Sequence, residues 1–209
     1  MLDKLTGLYQ KKYFLEQLDL EVKRCARYRR PLSVLALELD YAYFHPDVDV
    51  RWSMGYTLFK QLGPIVISTL RNVDLASRFD GEVFLAFLPE TGREGALIAG
   101  ERLRSRVERH WFLGQVPGAP AAEGLKSDRF RVALNVGVAI FPENGLEPPT
   151  LVEAARGALM WAKSEGSNRV KIASSGGVET SLPEASASER PRTDAPTSWD
   201  ALATDHNEE

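Results

Sequence analysis

Arg71-Asn72-Val73-Asp74 sets a guanidinium and a carboxylate three residues apart. An arginine fork can grip a phosphate, or the Hoogsteen edge of guanine, with two parallel hydrogen bonds, and a carboxylate can accept from guanine's N1 and N2 donors. The same spacing has a plain structural meaning, an i,i+3 ion pair at a helix end, and ordinary composition produces it about once every few hundred residues. Five residues separate Asp74 from a second group, Asp80-Gly81-Glu82-Val83-Phe84, with Arg78 just before it. Asp80-Gly81 reads as a turn between apolar runs. Glu82 offers a carboxylate there, whereas Val83 can neither coordinate, accept nor donate.

The flanking runs must fold to position these groups. Phe14, Leu18, Val22 and Cys25 recur at helical spacing in 13–28, and Pro31 closes that segment before the apolar strand run 32–39. Leu58, Leu62, Ile65 and Thr69 mark a helix over 54–70, with Pro64 as a kink or restart. Residues 76–88 read as two strands around Asp80-Gly81, 94–107 as a helix, 130–141 as a long strand, 151–163 as a helix and 169–172 as an edge strand. The order predicts an α+β domain of the ferredoxin-like, palm-type kind. Its βαββαβ core is an antiparallel sheet with helices covering one face, plus an N-terminal helix and a long loop at 114–127.

A chain of 209 residues with 44% hydrophobic content has room for one domain and a tail. The domain is expected over 1–173. From Ser174 onward Ser, Pro, Ala, Thr and acidic residues take over, so 174–209 is expected to be disordered. That tail holds eight acidic residues and two arginines, leaving the body about +3 against a whole-chain charge of −3. A mildly basic body suits an anionic ligand, but scattered cations without interleaved aromatics argue against nucleic acid. One cysteine, Cys25, excludes an intrachain disulfide, and His45, His110 and His206 are spaced too widely for a metal cluster. No apolar run is long enough to span a bilayer and the N-terminus lacks a signal-peptide core, so no membrane insertion and a cytoplasmic location are expected. Trp199 is a candidate docking residue in the tail.

Further segments then carry a resemblance across nearly all of 1–173. Asp3-Lys4-Leu5-Thr6-Gly7-Leu8-Tyr9-Gln10, Asn135-Val136-Gly137-Val138-Ala139 and Ala162-Lys163-Ser164-Glu165-Gly166-Ser167-Asn168 follow in the order and spacing of D-x-L-T-G-L-x-N, S-I-G-V-A and A-K-x-x-G-R-N. With Asp80-Gly81-Glu82-Val83-Phe84 as the signature, the chain resembles the GGDEF domain of diguanylate cyclases, which join two GTP molecules with Mg²⁺. The resemblance implies metal positions at Glu38, Asp40 and Glu82, a phosphate-binding cation at Lys163, and a product-binding Arg-x-x-Asp at Arg71 and Asp74. It adds Arg102 as a secondary product-binding arginine, with Arg78 a further candidate.

Several positions depart from that pattern. Glu38 is one methylene longer than the Asp implied there, in a site where Mg²⁺ demands tight geometry. Asp80 replaces the first signature glycine; at about 4 Å and an effective dielectric of about 20, each pair of unit charges would repel a phosphate by about 4 kcal/mol. Val83 replaces a signature carboxylate and Ser167 a phosphate-contacting arginine. The guanine-recognising Asn and Asp fall near Pro46 or Asp47 and at Tyr56 beside Gly55. The expectation is a catalytically inactive domain, with Asp80, Gly81, Glu82, Val83 and Phe84 as remnant positions, that needs no cofactor. It binds cyclic di-GMP through Arg71, Asp74 and Arg102 and signals to an unidentified protein partner, with a homodimer allowed. The recognisable domain begins at residue 3, which favours a self-standing receptor. The alternatives are a weak diguanylate cyclase using Mg²⁺ at Glu38, Asp40 and Glu82, and an interaction scaffold binding no nucleotide.

Overall fold

The computed structural model describes residues 1–40, 51–113 and 129–174, without the side chains of 51–56 and 130. The loop at 114–127, the tail from 175 with Trp199, and the guanine positions near 46, 47 and 56 lie outside the described residues and side chains. Met1–Val178 forms one compact unit; Glu179–Glu209, the second, is wholly outside the described residues.

The elements run β1 (Tyr9–Gln10), α1 (Lys11–Tyr28), β2 (Leu32–Asp40), α2 (Arg51–Thr69), β3 (Leu75–Asp80), β4 (Val83–Pro89), α3 (Arg93–Arg109), β5 (Phe112–Leu113), β6 (Arg129–Phe130), β7 (Ala133–Phe141), α4 (Pro148–Ser164) and β8 (Val170–Ile172). Six strands form one sheet in the order β1-β3-β4-β2-β7-β8, and β5 and β6 form a separate hairpin. The α+β class and the βαββαβ path are found as the sequence suggests. Two details are corrected. The sheet is mixed, since β1 pairs parallel with β3 and β8 parallel with β7. Helices also cover both faces rather than one.

Strand β2 explains the second correction. Leu35, Leu37 and Leu39 pack into a cluster with α2 and α3, while Leu32, Val34 and Ala36 pack into another with α1 and α4. An apolar run without polar gaps is what a strand covered on both sides requires. The sequence also hides β1, which is two residues long, and the break at Arg131–Val132 that separates β6 from β7. α2 runs as one helix through Pro64. Among the described residues no helix is long and apolar enough to cross a membrane.

Two glycines permit the closest packing. A Cβ on Gly137 would lie 2.1 Å from the Ala155 carbonyl oxygen and 2.2 Å from the Leu159 nitrogen, so α4 rests directly on β7 there. A Cβ on Gly63 would lie 1.9 Å from the Thr6 carbonyl oxygen, which seats the N-terminal turn against α2. That turn is built by Asp3, whose Oδ1 accepts from the Thr6 backbone N–H and hydroxyl at 2.9 and 2.7 Å. The glycine of the G-V-A segment is therefore explained by packing, and Gly7 of the L-T-G-L segment by the turn, where it takes φ of 73°.

Gly137→Ala is expected to cost about 3 kcal/mol, because backbone on both sides leaves no flexible side chain to yield. Urea denaturation with an unchanged slope would check it. Cys25 is buried, and burial, helped by Glu21, pushes its thiol up to about 11. The folded chain should resist iodoacetamide at a pH of about 8, whereas the denatured chain reacts.

Candidate functional site

Glu38 lies near the end of β2, opposite Val83 on one side and Asn135 on the other. Lys163, from the last turn of α4, donates to Glu38 Oε1 at 2.5 Å. Two residues along β2 from Glu38, Asp40 Oδ2 accepts from the Ser167 hydroxyl, whose oxygen in turn accepts from Asn135 Nδ2 at 2.8 Å. Asn135 is fully buried, and its Oδ1 has no hydrogen-bond partner. Lys163 and Ser167 together cover the acidic end of the strand.

The turn that places Ser167 is left-handed through Gly166, Ser167 and Asn168, with φ of 106°, 62° and 51°. Asn168 holds this costly conformation from outside. Its Oδ1 accepts from Arg104 Nη1 at 3.1 Å and its Nδ2 donates to Glu108 Oε1 at 2.7 Å, both on α3. Burial pushes Glu108 up, but the bonds from Asn168 and Arg104 outweigh it and hold the carboxyl below its ordinary range.

In the signature turn Asp80 is exposed, and Gly81 takes φ of 50° with open space where a Cβ would stand. Val83 packs with the α1 and α4 cluster, and Phe84 is fully buried with its ring 5.4 Å from that of Phe59. Arg78 donates from Nε to the Gly81 carbonyl at 3.3 Å, lies 3.8 Å from Asp3 and sits 5.0 Å over the Phe59 ring. It braces the turn and the N-terminal segment, which accounts for it without a ligand. Among the described residues no three His, Cys, Asp or Glu side chains form a group able to hold a metal. In this arrangement Glu38 is paired to Lys163 and Asp40 is bonded to Ser167.

Arg71 and Asp74 occupy the short turn between α2 and β3. Asp74 Oδ2 accepts from the Arg71 backbone N–H at 2.8 Å, and Oδ1 accepts from Nη2 at 2.9 Å. Arg71 Nη2 also donates to the Thr91 hydroxyl at 2.7 Å and approaches the Pro89 carbonyl at 3.3 Å. The Asp74 side chain is 0% exposed and that of Arg71 51%. In this state Asp74 orients Arg71 and is closed to solvent, while the Arg71 side chain remains half exposed. Thr91, which sequence reasoning missed, fixes the fork from the start of α3 and is itself held by a hydrogen bond from Ser33 to its carbonyl at 2.6 Å. A polar residue just before a helix was the only available signal.

Arg102 is exposed on α3, one turn before Arg106, whose Nη1 donates to the Ser68 carbonyl at 3.3 Å. That bond turns this face of α3 toward the end of α2, from which the Arg71 turn leaves. The structure therefore separates the sequence-derived residues into two groups. Glu38, Asp40, Val83 and Lys163 gather around the end of β2, and Arg71 and Asp74 stand at the far end of β3, with Arg102 on the α3 face turned toward that end.

Comparison with known proteins finds a family match and solved structures of the same fold. Residues 1–169 match the family model described as the diguanylate cyclase, GGDEF domain. The response regulator PleD of Caulobacter vibrioides is 29% identical over 168 residues, covering 80% of this chain and 35% of PleD. Among solved structures, the GGDEF domain of TpbB (YfiN) from Pseudomonas aeruginosa aligns with a TM-score of 0.70 at 20% identity, covering 83% of this chain and 95% of that one. The GGDEF domain of DgcB from Caulobacter crescentus, in complex with cyclic di-GMP, aligns with a TM-score of 0.66 at 20% identity, covering 82% and 92%. The chain spans about a third of the length of the curated relative PleD.

Ser167→Ala is expected to lower stability by about 2 kcal/mol, because it leaves the buried Asn135 amide without its hydroxyl partner as well as uncovering Asp40. Thermal and urea unfolding of the variant would measure it.

Proposed function

The chain belongs to the GGDEF domain family of diguanylate cyclases, and from that premise we propose that it binds cyclic di-GMP without making it and passes that occupancy to a protein partner. The observation that carries this reading is at the end of β2. The carboxylate position implied for the metal is in an ion pair with Lys163, and its cross-strand neighbour on β4 is a valine. The cation available for a phosphate and the carboxylate available for Mg²⁺ neutralise each other. Asp80 adds negative charge at the turn where a triphosphate would pass.

The other end of the sheet supports binding. Asp74, Thr91 and Pro89 hold one edge of the Arg71 guanidinium, so its orientation is set before a ligand arrives and less ordering entropy is lost on binding. The half-exposed Arg71 guanidinium and the exposed Arg102 supply charge-assisted donors for phosphate or guanine. In this reading Asp74 serves first as the group that aims Arg71, and it accepts from guanine only when Arg71 yields part of it. The complex of the DgcB GGDEF domain with cyclic di-GMP shows that this fold accommodates the ligand in a relative. We place the protein in the cytoplasm, where a nucleotide messenger would reach it.

Calorimetric titration with cyclic di-GMP, and separately with GTP plus Mg²⁺, tests the proposal. Cyclic di-GMP should bind, and GTP with Mg²⁺ should yield no cyclic product; accumulation of product would favour the weak cyclase, and silence toward both ligands the scaffold. Arg102→Ala should weaken cyclic di-GMP by about tenfold, about 1.4 kcal/mol, with unchanged stability because its side chain is exposed. Arg71→Ala should abolish detectable binding, with a stability cost as well, since the buried Asp74 carboxylate then lacks its cation.

A further inference from the structure

The hairpin of β5 and β6 takes no part in either group of site residues, yet it is anchored with unusual care. Gln61 on α2 donates from Nε2 to the Leu113 carbonyl at 2.9 Å and accepts from the Leu113 N–H at 2.9 Å, filling the outer edge of β5 as a neighbouring strand would. Phe112 is fully buried, with the His110 ring edge-on at 4.6 Å. Because side chains alternate along a strand, burying Phe112 turns Trp111 and Leu113 outward. They are 54% and 47% exposed. Leu113 pairs with Arg129, and the Arg131 guanidinium lies 5.4 Å over the Trp111 ring. Arg109, at the root of the hairpin, is exposed too. One small face therefore shows a tryptophan and a leucine with Arg129 and Arg131 beside them. The nearby carboxylate on α3, Glu108, is bonded to Arg104 and Asn168 and also attracts Arg131.

We propose that this hairpin face is a docking surface for an acidic segment of a protein partner, with an apolar side chain of that segment seated on Trp111 and Leu113. The inference concerns the partner in the reading above and does not depend on cyclic di-GMP. Tryptophan and arginine are the residues that most often dominate binding energy, and here the scaffold already holds them in place. Charge decides between occupants. A second copy of the chain meeting this face symmetrically would set arginines against arginines. Single-stranded nucleic acid would need successive stacking platforms, and this face offers one aromatic ring.

The test is fluorescence anisotropy of the full chain, without nucleotide, at a salt concentration of about 150 mM, where long-range attraction is screened. The probes are a labelled acidic peptide of about eight residues containing one leucine, its Gln/Asn counterpart, an oligothymidylate and phosphatidylserine vesicles. The acidic peptide should bind, and Trp111→Ala and Arg129→Glu should each weaken it at least tenfold, while Arg102→Ala leaves it unchanged. Binding unaffected by Trp111→Ala, equal binding of the neutral peptide, absence of binding, or tighter binding of the oligonucleotide or vesicles through the same residues would each overturn the proposal.

Discussion

Everything in this domain is organised around a central strand that has no solvent face. Strand β2 lies between β4 and β7 and beneath helices on both sides, so each of its residues up to Leu37 is buried. Carboxylates can enter such a strand only at its end, and only with partners, because an uncompensated charge at the margin of a core costs several kcal/mol. Glu38 and Asp40 meet that condition through Lys163 and Ser167. The partners come from the end of α4 and the turn after it, and that turn is left-handed at three successive residues. The arrangement can hold only because Asn168 ties the turn to α3 and Gly137 lets α4 press onto β7.

The same constraint connects stability with chemistry. One lysine neutralises the strand-end glutamate, and where a serine bridges aspartate and asparagine, the loop cannot open without exposing both. The polar network that makes the fold self-consistent is the one on which the proposal of a catalytically silent site rests. Glu38 is engaged by Lys163, a valine stands beside it, and Asp40 is bonded to Ser167.

The class of fold and the principal helices were legible in the sequence because their signals are local. Phe14, Leu18, Val22 and Cys25 repeat at helical spacing, and all four are buried in α1. The run 32–39 announced a buried strand but not what covers it; reading one helical layer rather than two followed from taking a βαββαβ order as a one-sided sheet. Ser167 and Thr91 illustrate a different limit. In the sequence Ser167 was a missing arginine and Thr91 an unremarkable residue before a helix. Their partners lie 127 and 20 positions away respectively, and no local pattern encodes them. Arg78 was ambiguous in the sequence for the same reason, since Gly81, Asp3 and Phe59 become its neighbours only when β1 and α2 close around β3.

The geometry of β3 also bears on why its two ends can differ so much in character. Asp74 stands just before its first residue and Asp80 is its last, so the binding turn and the signature turn are separated by the length of the strand, about 20 Å at about 3.3 Å per residue. The strand returns as β4, which brings Pro89 and Thr91 to the Arg71 end and leaves Val83 at the Glu38 end. The two groups share no side chain, and groups that far apart without common partners respond to substitution almost independently. Loss of a carboxylate at Val83 therefore carries no energetic consequence for the Arg71 fork. In the proposed reading such a domain is silent at one end of the sheet and recognises a ligand at the other, and the turn that would recognise it is joined to the rest of the domain through α2 and α3, whose ends meet at Ser68 and Arg106, and through Pro89 of β4 and the Thr91 bond to Ser33 of β2.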